Sequence, residues 1–379
     1  MKLGLYIHIP FCLQKCFYCD FPSFANIADL KEAYTDALCM EIITQGALLP
    51  CAVVDTIYIG GGTPTTLSEG MLRKILKAVK QAFHFSEAME CSIEANPGTV
   101  NQQQLESLRA AGVNRISFGV QTFEDKLLVK IGRIHTAKAA RQSVLLAQIA
   151  GFTNINLDLM YGLPGQTLGM LEKSMKAAMD LGVMHISIYG LIIEEGTVFA
   201  AQEKQGQLDL PSEELVEQMY DRIMSVLPAA GYERYEISNF AKAKCYSRHN
   251  LKYWQNQPYL GLGAAAHSYI ADRRYANTHD VKAYIAAVKS GKLLAEPEED
   301  MTSTILMEEF CFLALRTKWG VDCEKFAKNF GQSIFTIYGD VIEKLQTKNL
   351  LAVDAGKVYL TALGMKYGNQ VFAEFLLNI

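Results

Sequence analysis

Short apolar runs alternate with longer amphipathic stretches over the first half of the chain. The runs have the length and composition of strands that are covered on both faces. They are Leu3–Ile9, Thr56–Gly60, Cys91–Ala95, Arg115–Gly119, Ile155–Tyr161 and His185–Tyr189. The amphipathic stretches have the 3.6-residue period of helices. They cover 30–46, 67–83, 101–111, 137–150, 168–181 and 213–227. This alternation predicts parallel βαβ units, which either close into a partial barrel or lie open as a doubly wound sheet.

The pattern changes near residue 296. The acidic segment Glu296–Asp300 contains a proline and is typical of a linker. Helical periods follow at 304–318 and 333–347, and residues 350–361 then have the pattern of a hairpin that turns at Ala355-Gly356. Helices followed by a hairpin predict a small α+β module that resembles a winged helix.

The length of 379 residues exceeds what one compact core usually holds. We therefore expect three parts: a barrel over 1–240, a connecting segment over 241–300 and the C-terminal module over 301–379. The net charge is −4 and charges of both signs are interspersed, so we expect no nucleic-acid partner. No apolar run approaches the ~18 residues of a membrane span, and the N-terminus lacks a secretory design, which predicts a cytoplasmic location.

Three of the nine cysteines stand within eight residues of each other, directly after the first predicted strand: Cys12, Cys16 and Cys19. Thiolates favour zinc and iron–sulfur clusters. A structural zinc ion needs a fourth ligand, for which only Asp20 is close in sequence. A redox pair of Cys16 and Cys19 would leave Cys12 unexplained. Three thiolates would leave one iron of a four-iron cluster without a protein ligand, and that iron could bind an external ligand.

Polar residues and glycines also follow the later strands. Gly60 to Pro64 reads GGGTP, which is either a tight turn or a backbone that approaches a ligand closely. Glu94 and Asp158 lie inside apolar strands, where a carboxylate is costly unless it is paired. Gln121 and Arg133 follow the fourth strand. Because the C-terminal ends of parallel strands share one edge, these residues are expected to line one site.

The CxxxCxxC pattern, with Tyr18 before the last cysteine, resembles the radical-SAM superfamily. The segment from Tyr6 to Cys12 resembles the branch that contains oxygen-independent coproporphyrinogen III dehydrogenase and the haem chaperones. The resemblance implies a partial (β/α)6 barrel and a [4Fe–4S] cluster on Cys12, Cys16 and Cys19. S-adenosylmethionine (SAM) would bind the open iron, and an electron donor would drive its cleavage to a 5′-deoxyadenosyl radical. The SAM contacts that it implies are Tyr6, Tyr18, Gly61, Gly62, Thr63, Glu94, Gln121, Arg133 and Asp158. In the dehydrogenase the residues matching the last three line a second SAM.

Two departures count against the dehydrogenase. Phe21 occupies the position of its fourth cysteine, and only eleven residues precede Cys12, where the dehydrogenase has a long extension. Residues 248–254 instead match the HNxxYW motif of the haem chaperones, which implies haem contacts from His249, Tyr253 and Trp254.

Our hypothesis is therefore a haem chaperone that carries haem as cargo to apo-haemoproteins such as respiratory-chain cytochromes. The alternative is a radical-SAM coproporphyrinogen III dehydrogenase of porphyrin biosynthesis. A structural zinc–thiolate protein leaves the SAM residues unexplained. A peripheral membrane contact and a homodimer are compatible with the sequence, which carries no specific signal for either.

Overall fold

Strand–helix units make up the first part of the computed structural model, which describes residues 1–292, 296–297 and 301–377. The strands are β1 (Lys2–Ile9), β2 (Val53–Gly61), β3 (His84–Ala95), β4 (Arg115–Gln121), β5 (Asn154–Tyr161) and β6 (His185–Gly190). The helices are α1 (Lys31–Leu48), α2 (Glu69–Ala82), α3 (Gln102–Ala110), α4 (Asp125–Lys130), α5 (Ala137–Ile149), α6 (Leu168–Asp180), α7 (Val198–Lys204) and α8 (Glu213–Ala229). The predicted alternation is confirmed.

Strands beyond α8 extend this sheet on both sides, and two helices lie between them. They are β7 (Glu233–Arg234), β8 (Asn239–Ala241), α9 (Arg248–Trp254), β9 (Tyr259–Leu262), β10 (His267–Ile270), β11 (Arg273–Ala276), α10 (Val281–Lys289) and β12 (Glu296–Pro297). The strand order is β12-β11-β10-β9-β1-β2-β3-β4-β5-β6-β8-β7. Strands β1 to β6 are parallel, β9 is parallel to β1, and the outer strands are antiparallel. The connecting segment is thus part of the sheet.

The six parallel strands have one apolar face and one polar face. On β1, for example, Leu3, Leu5 and Ile7 are fully buried in the main hydrophobic core, whereas Tyr6 and His8 point to the opposite face. This follows from the two-residue period of a strand. Six helices of this region begin at a Ser, Thr or Asn whose side chain accepts a backbone N–H, which fixes where each helix starts. For α7 this residue is Thr197. For the other five they are Ser68, Asn101, Thr136, Thr167 and Ser212.

Strand β3 is much longer than predicted, because it begins at His84 and not at Cys91. Its first half is paired with β2 only at Val53 and Val54, before the register shifts. His84, Glu87 and Ala88 of this half are exposed, and the first two carry polar side chains. The search for apolar runs therefore missed it.

The C-terminal module contains α11 (Ser303–Leu315), β13 (Val321–Asp322), α12 (Cys323–Phe330), α13 (Ile334–Thr347), β14 (Leu351–Asp354), β15 (Lys357–Leu360), α14 (Ala362–Lys366) and α15 (Gly368–Ala373). Its sheet has the order β13-β15-β14, and it has a hydrophobic core of its own. The predicted hairpin is confirmed, with Ala355 and Gly356 both at positive φ in its turn. Of the predicted linker, Glu296-Pro297 pairs with β11 as β12, and 298–300 lie outside the described residues.

Candidate functional site

The cysteine loop leaves β1 at the C-terminal edge of the sheet. Cys12 N–H donates to the Phe24 carbonyl over 3.0 Å, and Cys19 N–H donates to the Cys16 carbonyl over 3.2 Å. All three thiols are free and half-buried. Burial raises the pKa of the Cys19 thiol. The loop is tied to the region after β4, because the Gln14 amide donates to the Gly132 carbonyl over 3.0 Å.

The GGGTP turn packs directly against this loop. Gly62 N–H donates to the Ile9 carbonyl and Thr63 N–H to the Phe11 carbonyl, over 2.9 and 2.8 Å. The Thr63 hydroxyl lies 3.7 Å from Cys12 Sγ. A Cβ atom at Gly62 would lie 2.8 Å from the Phe11 carbonyl oxygen and 3.1 Å from Cys12 Sγ. The glycine is therefore required for the close approach of the two loops.

Glu94 is hydrogen-bonded to neutral groups of the chain. Its carboxylate accepts the Tyr58 hydroxyl over 2.7 Å and the Gly61 N–H over 3.1 Å. Burial raises the pKa of Glu94 to about 7, and these two hydrogen bonds oppose the shift. The carboxylate thus lies beside the glycine turn, as a contact to ligand hydroxyls would require.

Arg133 connects the neighbouring predicted residues. Its guanidinium donates to Cys16 Sγ over 3.3 Å, to Asn96 Oδ1 over 2.7 Å and to the Gly119 carbonyl. Asn96 in turn donates to the Thr63 hydroxyl over 2.8 Å. A small cleft, to which Cys16, Thr63, Asn96 and Arg133 all contribute, opens here. Asn96 was not predicted, although it stands two residues after Glu94.

Gln121, Asp158 and Tyr18 occupy the same edge. Gln121 ends β4 at a register shift with φ of +66°. Asp158 accepts the Ser117 hydroxyl over 3.0 Å and the Asn156 amide over 2.8 Å, and burial raises its pKa. Tyr18 packs on Phe199.

Tyr6 reaches His8, which sequence reasoning also missed. The Tyr6 hydroxyl donates to His8 Nδ1 over 2.9 Å, and His8 Nε2 donates to the Pro22 carbonyl over 2.9 Å. His8 therefore braces the segment that follows the cysteines. Its position two residues after Tyr6, on the same face of β1, was the available signal.

The donor set fits an iron–sulfur cluster with SAM. Three free thiols share one loop, a guanidinium contacts one of them, and Gly62 lets the glycine turn approach Cys12 closely. Soft thiolate ligands of this kind suit iron–sulfur clusters. In the described part of the chain no three His, Cys, Asp or Glu side chains are already arranged around a metal position.

The residues expected to contact haem lie at the opposite end of the strands. His249 is fully buried on α9, beneath the first residues of β1 and β2. Its Nδ1 bonds the Thr56 hydroxyl over 2.9 Å, and its Nε2 bonds the Tyr253 hydroxyl over 2.8 Å. Its ring stacks on Tyr58, with centroids 5.4 Å apart. Burial lowers the pKa of His249 to about 3. Both ring nitrogens are thus engaged within the chain.

The rest of α9 joins the barrel to the C-terminal module. Lys252 forms a buried ion pair with Asp55 over 2.8 Å. The Glu90 carboxylate accepts the N–H groups of Arg248 and His249. The Trp254 ring lies 4.6 Å from the Arg316 guanidinium of the C-terminal module. The structure therefore separates His249 from the cysteine loop and gives α9 a packing role.

None of the helices in the described residues is long and apolar enough to cross a membrane.

Comparisons with known proteins agree with this architecture. Residues 6–178 match the radical SAM superfamily, and residues 301–366 match the HemN C-terminal domain. The chain is 44% identical over 372 residues to the heme chaperone HemW of Bacillus subtilis, with 98% of each chain covered. It is 40% identical to the heme chaperone HemW of Lactococcus lactis, with 98% of this chain and 97% of the relative covered.

Coproporphyrinogen III oxidase (HemN) from Escherichia coli, a radical SAM enzyme, has a similar solved structure. The TM-score is 0.87 at 25% identity, covering 100% of this chain and 91% of the enzyme. The expected partial barrel with a smaller C-terminal domain is therefore confirmed.

Proposed function

The chain belongs to the HemW family of radical SAM proteins, and from this premise we propose that it is a haem chaperone that passes haem to apo-haemoproteins such as respiratory-chain cytochromes. The observation that carries the proposal is the 44% identity to a heme chaperone over 98% of both chains. The HNxxYW segment at residues 248–254 supports it.

Cys12, Cys16 and Cys19 would hold a [4Fe–4S] cluster at the C-terminal edge of the sheet. When bound, the cluster supplies an electron for SAM chemistry. Arg133 donates a hydrogen bond to the Cys16 sulfur and places a positive charge beside it. Lys15 donates to the Phe21 and Ser23 carbonyls over 2.9 and 3.3 Å, which stabilises the end of the cysteine loop.

The SAM contacts that the resemblance implies would each bind a different part of SAM beside the cluster. The glycine turn at Gly61 and Gly62 would let the backbone approach the amino acid end of SAM. Glu94, held by Tyr58 and Gly61, would accept the ribose hydroxyls. Gln121, Arg133 and Asp158 lie on the adjoining strands and would bind the remaining polar groups.

Haem contact through His249 requires a change at α9. The ring is fully buried and both nitrogens are hydrogen-bonded, so an iron atom could replace Tyr253 or Thr56 as partner only if α9 moved. Tyr253 and Trp254 belong to the same helix and would move with it. We keep these residues as predicted haem contacts of an opened state.

The alternative function is coproporphyrinogen III oxidation, which the likeness to the E. coli enzyme favours. Phe21, at the position of the dehydrogenase's fourth cysteine, counts against it. The Phe21 side chain is 62% exposed next to the cysteine loop.

Two parallel incubations of the cluster-reconstituted protein separate these functions. One sample receives haem, and the other receives coproporphyrinogen III with SAM and a reductant. We expect stoichiometric haem binding in the first and no protoporphyrinogen in the second. Formation of protoporphyrinogen, or a failure to bind haem, would contradict the chaperone function.

A further inference from the structure

Tyr58 lies between α9 and the predicted SAM site. It is on β2, and its side chain is half-buried. Its ring stacks on that of His249, with centroids 5.4 Å apart and planes inclined by 26°. Its hydroxyl donates to Glu94 Oε1 over 2.7 Å, and Glu94 Oε2 accepts the Gly61 N–H over 3.1 Å. A single side chain therefore contacts both a predicted haem residue and a predicted SAM residue.

Close packing restricts the position of the Tyr58 ring. A Cβ atom at Gly60 would lie 2.9 Å from Tyr58 Cε1 and 3.0 Å from Glu94 Oε2, so a side chain there would displace one of them. The Tyr6 ring also stacks on Tyr58, but its centroid is 6.4 Å away, which is farther than that of His249. The direction of the Tyr58 hydroxyl therefore depends on the rings packed against it, and His249 is the nearer of these two.

The position of His249 depends in turn on α9. Thr56, two residues before Tyr58 on β2, bonds the His249 ring over 2.9 Å, and the Glu90 carboxylate accepts the His249 N–H over 3.2 Å. These contacts define a closed position of α9, in which the imidazole lies on Tyr58. An open position, in which haem iron can reach the imidazole, takes the ring away from Tyr58. The helix is thus an element with two positions, of the kind that can couple two sites.

Removal of the His249 ring would change the surroundings of Glu94. Tyr58 would lose a stacking partner, and its hydroxyl would be free to turn away from the carboxylate. The hydrogen bond from Tyr58 opposes the rise in the Glu94 pKa that burial causes, so its loss would disfavour the ionised form. The ionised form is the one that accepts ribose hydroxyls. The closed position of α9 is therefore the one that prepares Glu94 for SAM.

We propose that Tyr58 is a positioning residue through which SAM and haem oppose each other's binding, so that SAM favours the release of haem. This inference rests on the proposed haem-chaperone function, with His249 as a haem contact of the opened state. SAM binds better when α9 is closed, and haem binds His249 only when α9 is open. Each ligand shifts the helix by its difference in affinity for the two positions, without any bond of SAM being broken.

Binding titrations of the cluster-loaded protein without reductant test the coupling, because SAM is not cleaved without an electron. The affinity for haemin is measured with and without saturating SAM, and the affinity for SAM with and without saturating haemin. We expect each ligand to weaken the other by the same factor, roughly 5- to 150-fold. Amide hydrogen exchange over 248–254 should slow with SAM and accelerate with haemin.

Substitutions on both sides of the contact test the role of Tyr58. Tyr58→Phe loses the hydrogen bond to Glu94, so SAM should bind about tenfold more weakly and the coupling factor should fall toward one. Tyr232→Phe is the matched control, because the Tyr232 hydroxyl is buried and donates to the Val183 carbonyl over 2.7 Å. His249→Ala removes the stacked ring and should weaken SAM binding roughly 2- to 10-fold without haemin. His249→Phe restores a stacked ring and should recover most of that affinity.

The outcomes separate this inference from the function on which it rests. The cluster absorption and the unfolding midpoint of each variant are recorded, so that binding is compared only between folded proteins. If the wild type does not bind haemin, the chaperone function is overturned together with the coupling. If it binds haemin and SAM independently, or if Tyr58→Phe keeps the coupling factor of the wild type, the role of Tyr58 is wrong and the chaperone function stands. Equal losses of SAM affinity in Tyr58→Phe and Tyr232→Phe would also overturn that role.

Discussion

The two ends of the parallel strands contain polar residues that are used in different ways. At the C-terminal end, which we call the mouth, Arg133 contacts the cysteine loop, Glu94 contacts the glycine turn, and three thiols are free. At the N-terminal end, which we call the floor, His249 and Lys252 are buried. His249 is hydrogen-bonded within the chain, and Lys252 forms an ion pair. Both ends carry motif residues. The motif residues at the floor would therefore have to give up partners within the chain before they could bind a ligand.

The largest effect at the mouth is expected from Cys16→Ser. Loss of one thiolate should abolish the visible iron–sulfur absorption of the reconstituted protein, since the loop offers no substitute ligand. Cys51→Ser is the control, because Cys51 is an exposed thiol outside the loop. A full-strength absorption band in the Cys16 variant would refute the ligand set.

At the floor, Lys252→Ala should reduce stability strongly. The variant leaves Asp55 without its cation at a site where the two side chains are 4% and 11% exposed. Breaking a buried pair costs about 3–5 kcal/mol, which denaturant unfolding would measure. Lys74→Ala, which breaks the exposed pair with Asp36, should cost less than about 1 kcal/mol. Equal losses of unfolding free energy in the two variants would show that the Lys252–Asp55 pair contributes no more to stability than an exposed pair.

The sequence predicts the arrangement at the mouth better than that at the floor, because the floor contacts join residues that are far apart in the chain. Cys12 and Gly62 follow or end a strand and Glu94 lies near the end of one, so the strand pattern predicted that these residues share one edge of the sheet. The floor depends on α9 packing beneath strands that lie some 190 residues earlier in sequence, as in the contact between Thr56 and His249. No local pattern specifies that packing. The HNxxYW motif predicts a haem contact from His249, whereas in the folded chain the His249 ring is hydrogen-bonded to Thr56 and Tyr253.

Binding of SAM at the mouth should depend on pH through Glu94. Burial raises the pKa of its carboxyl to about 7, so the folded protein without SAM holds a proton there that the unfolded chain releases at lower pH. This contribution to stability is lost as pH rises from about 4.5 through 7. The carboxylate that accepts ribose hydroxyls forms over the same range.

The SAM affinity should therefore rise about tenfold between pH 6 and pH 8, which calorimetry would measure. Glu94→Gln should remove this dependence. A pH dependence that is equally steep in the variant would assign it to another group.

The smallest effect is expected from Trp254→Phe at the floor. The indole Nε1 is buried and has no hydrogen-bond partner among the residues that the structure describes, so its removal loses no bond to them. A phenyl ring keeps the contact with Arg316, and the cost in stability should be about 0.5–1 kcal/mol. Loss of haem binding in this variant, with normal unfolding, would support the indole as a haem contact of the opened state. Unchanged haem binding would remove Trp254 from the predicted haem contacts.

Haem transfer tests the central claim, that this chain carries haem and releases it, most directly. The haem-loaded protein is mixed with an apo-haemoprotein, the two are separated, and the haem absorption of each is recorded. The chaperone function predicts that haem leaves this protein and appears in the acceptor in matching amount. Haem that stays on the protein, with no gain by the acceptor, would contradict it.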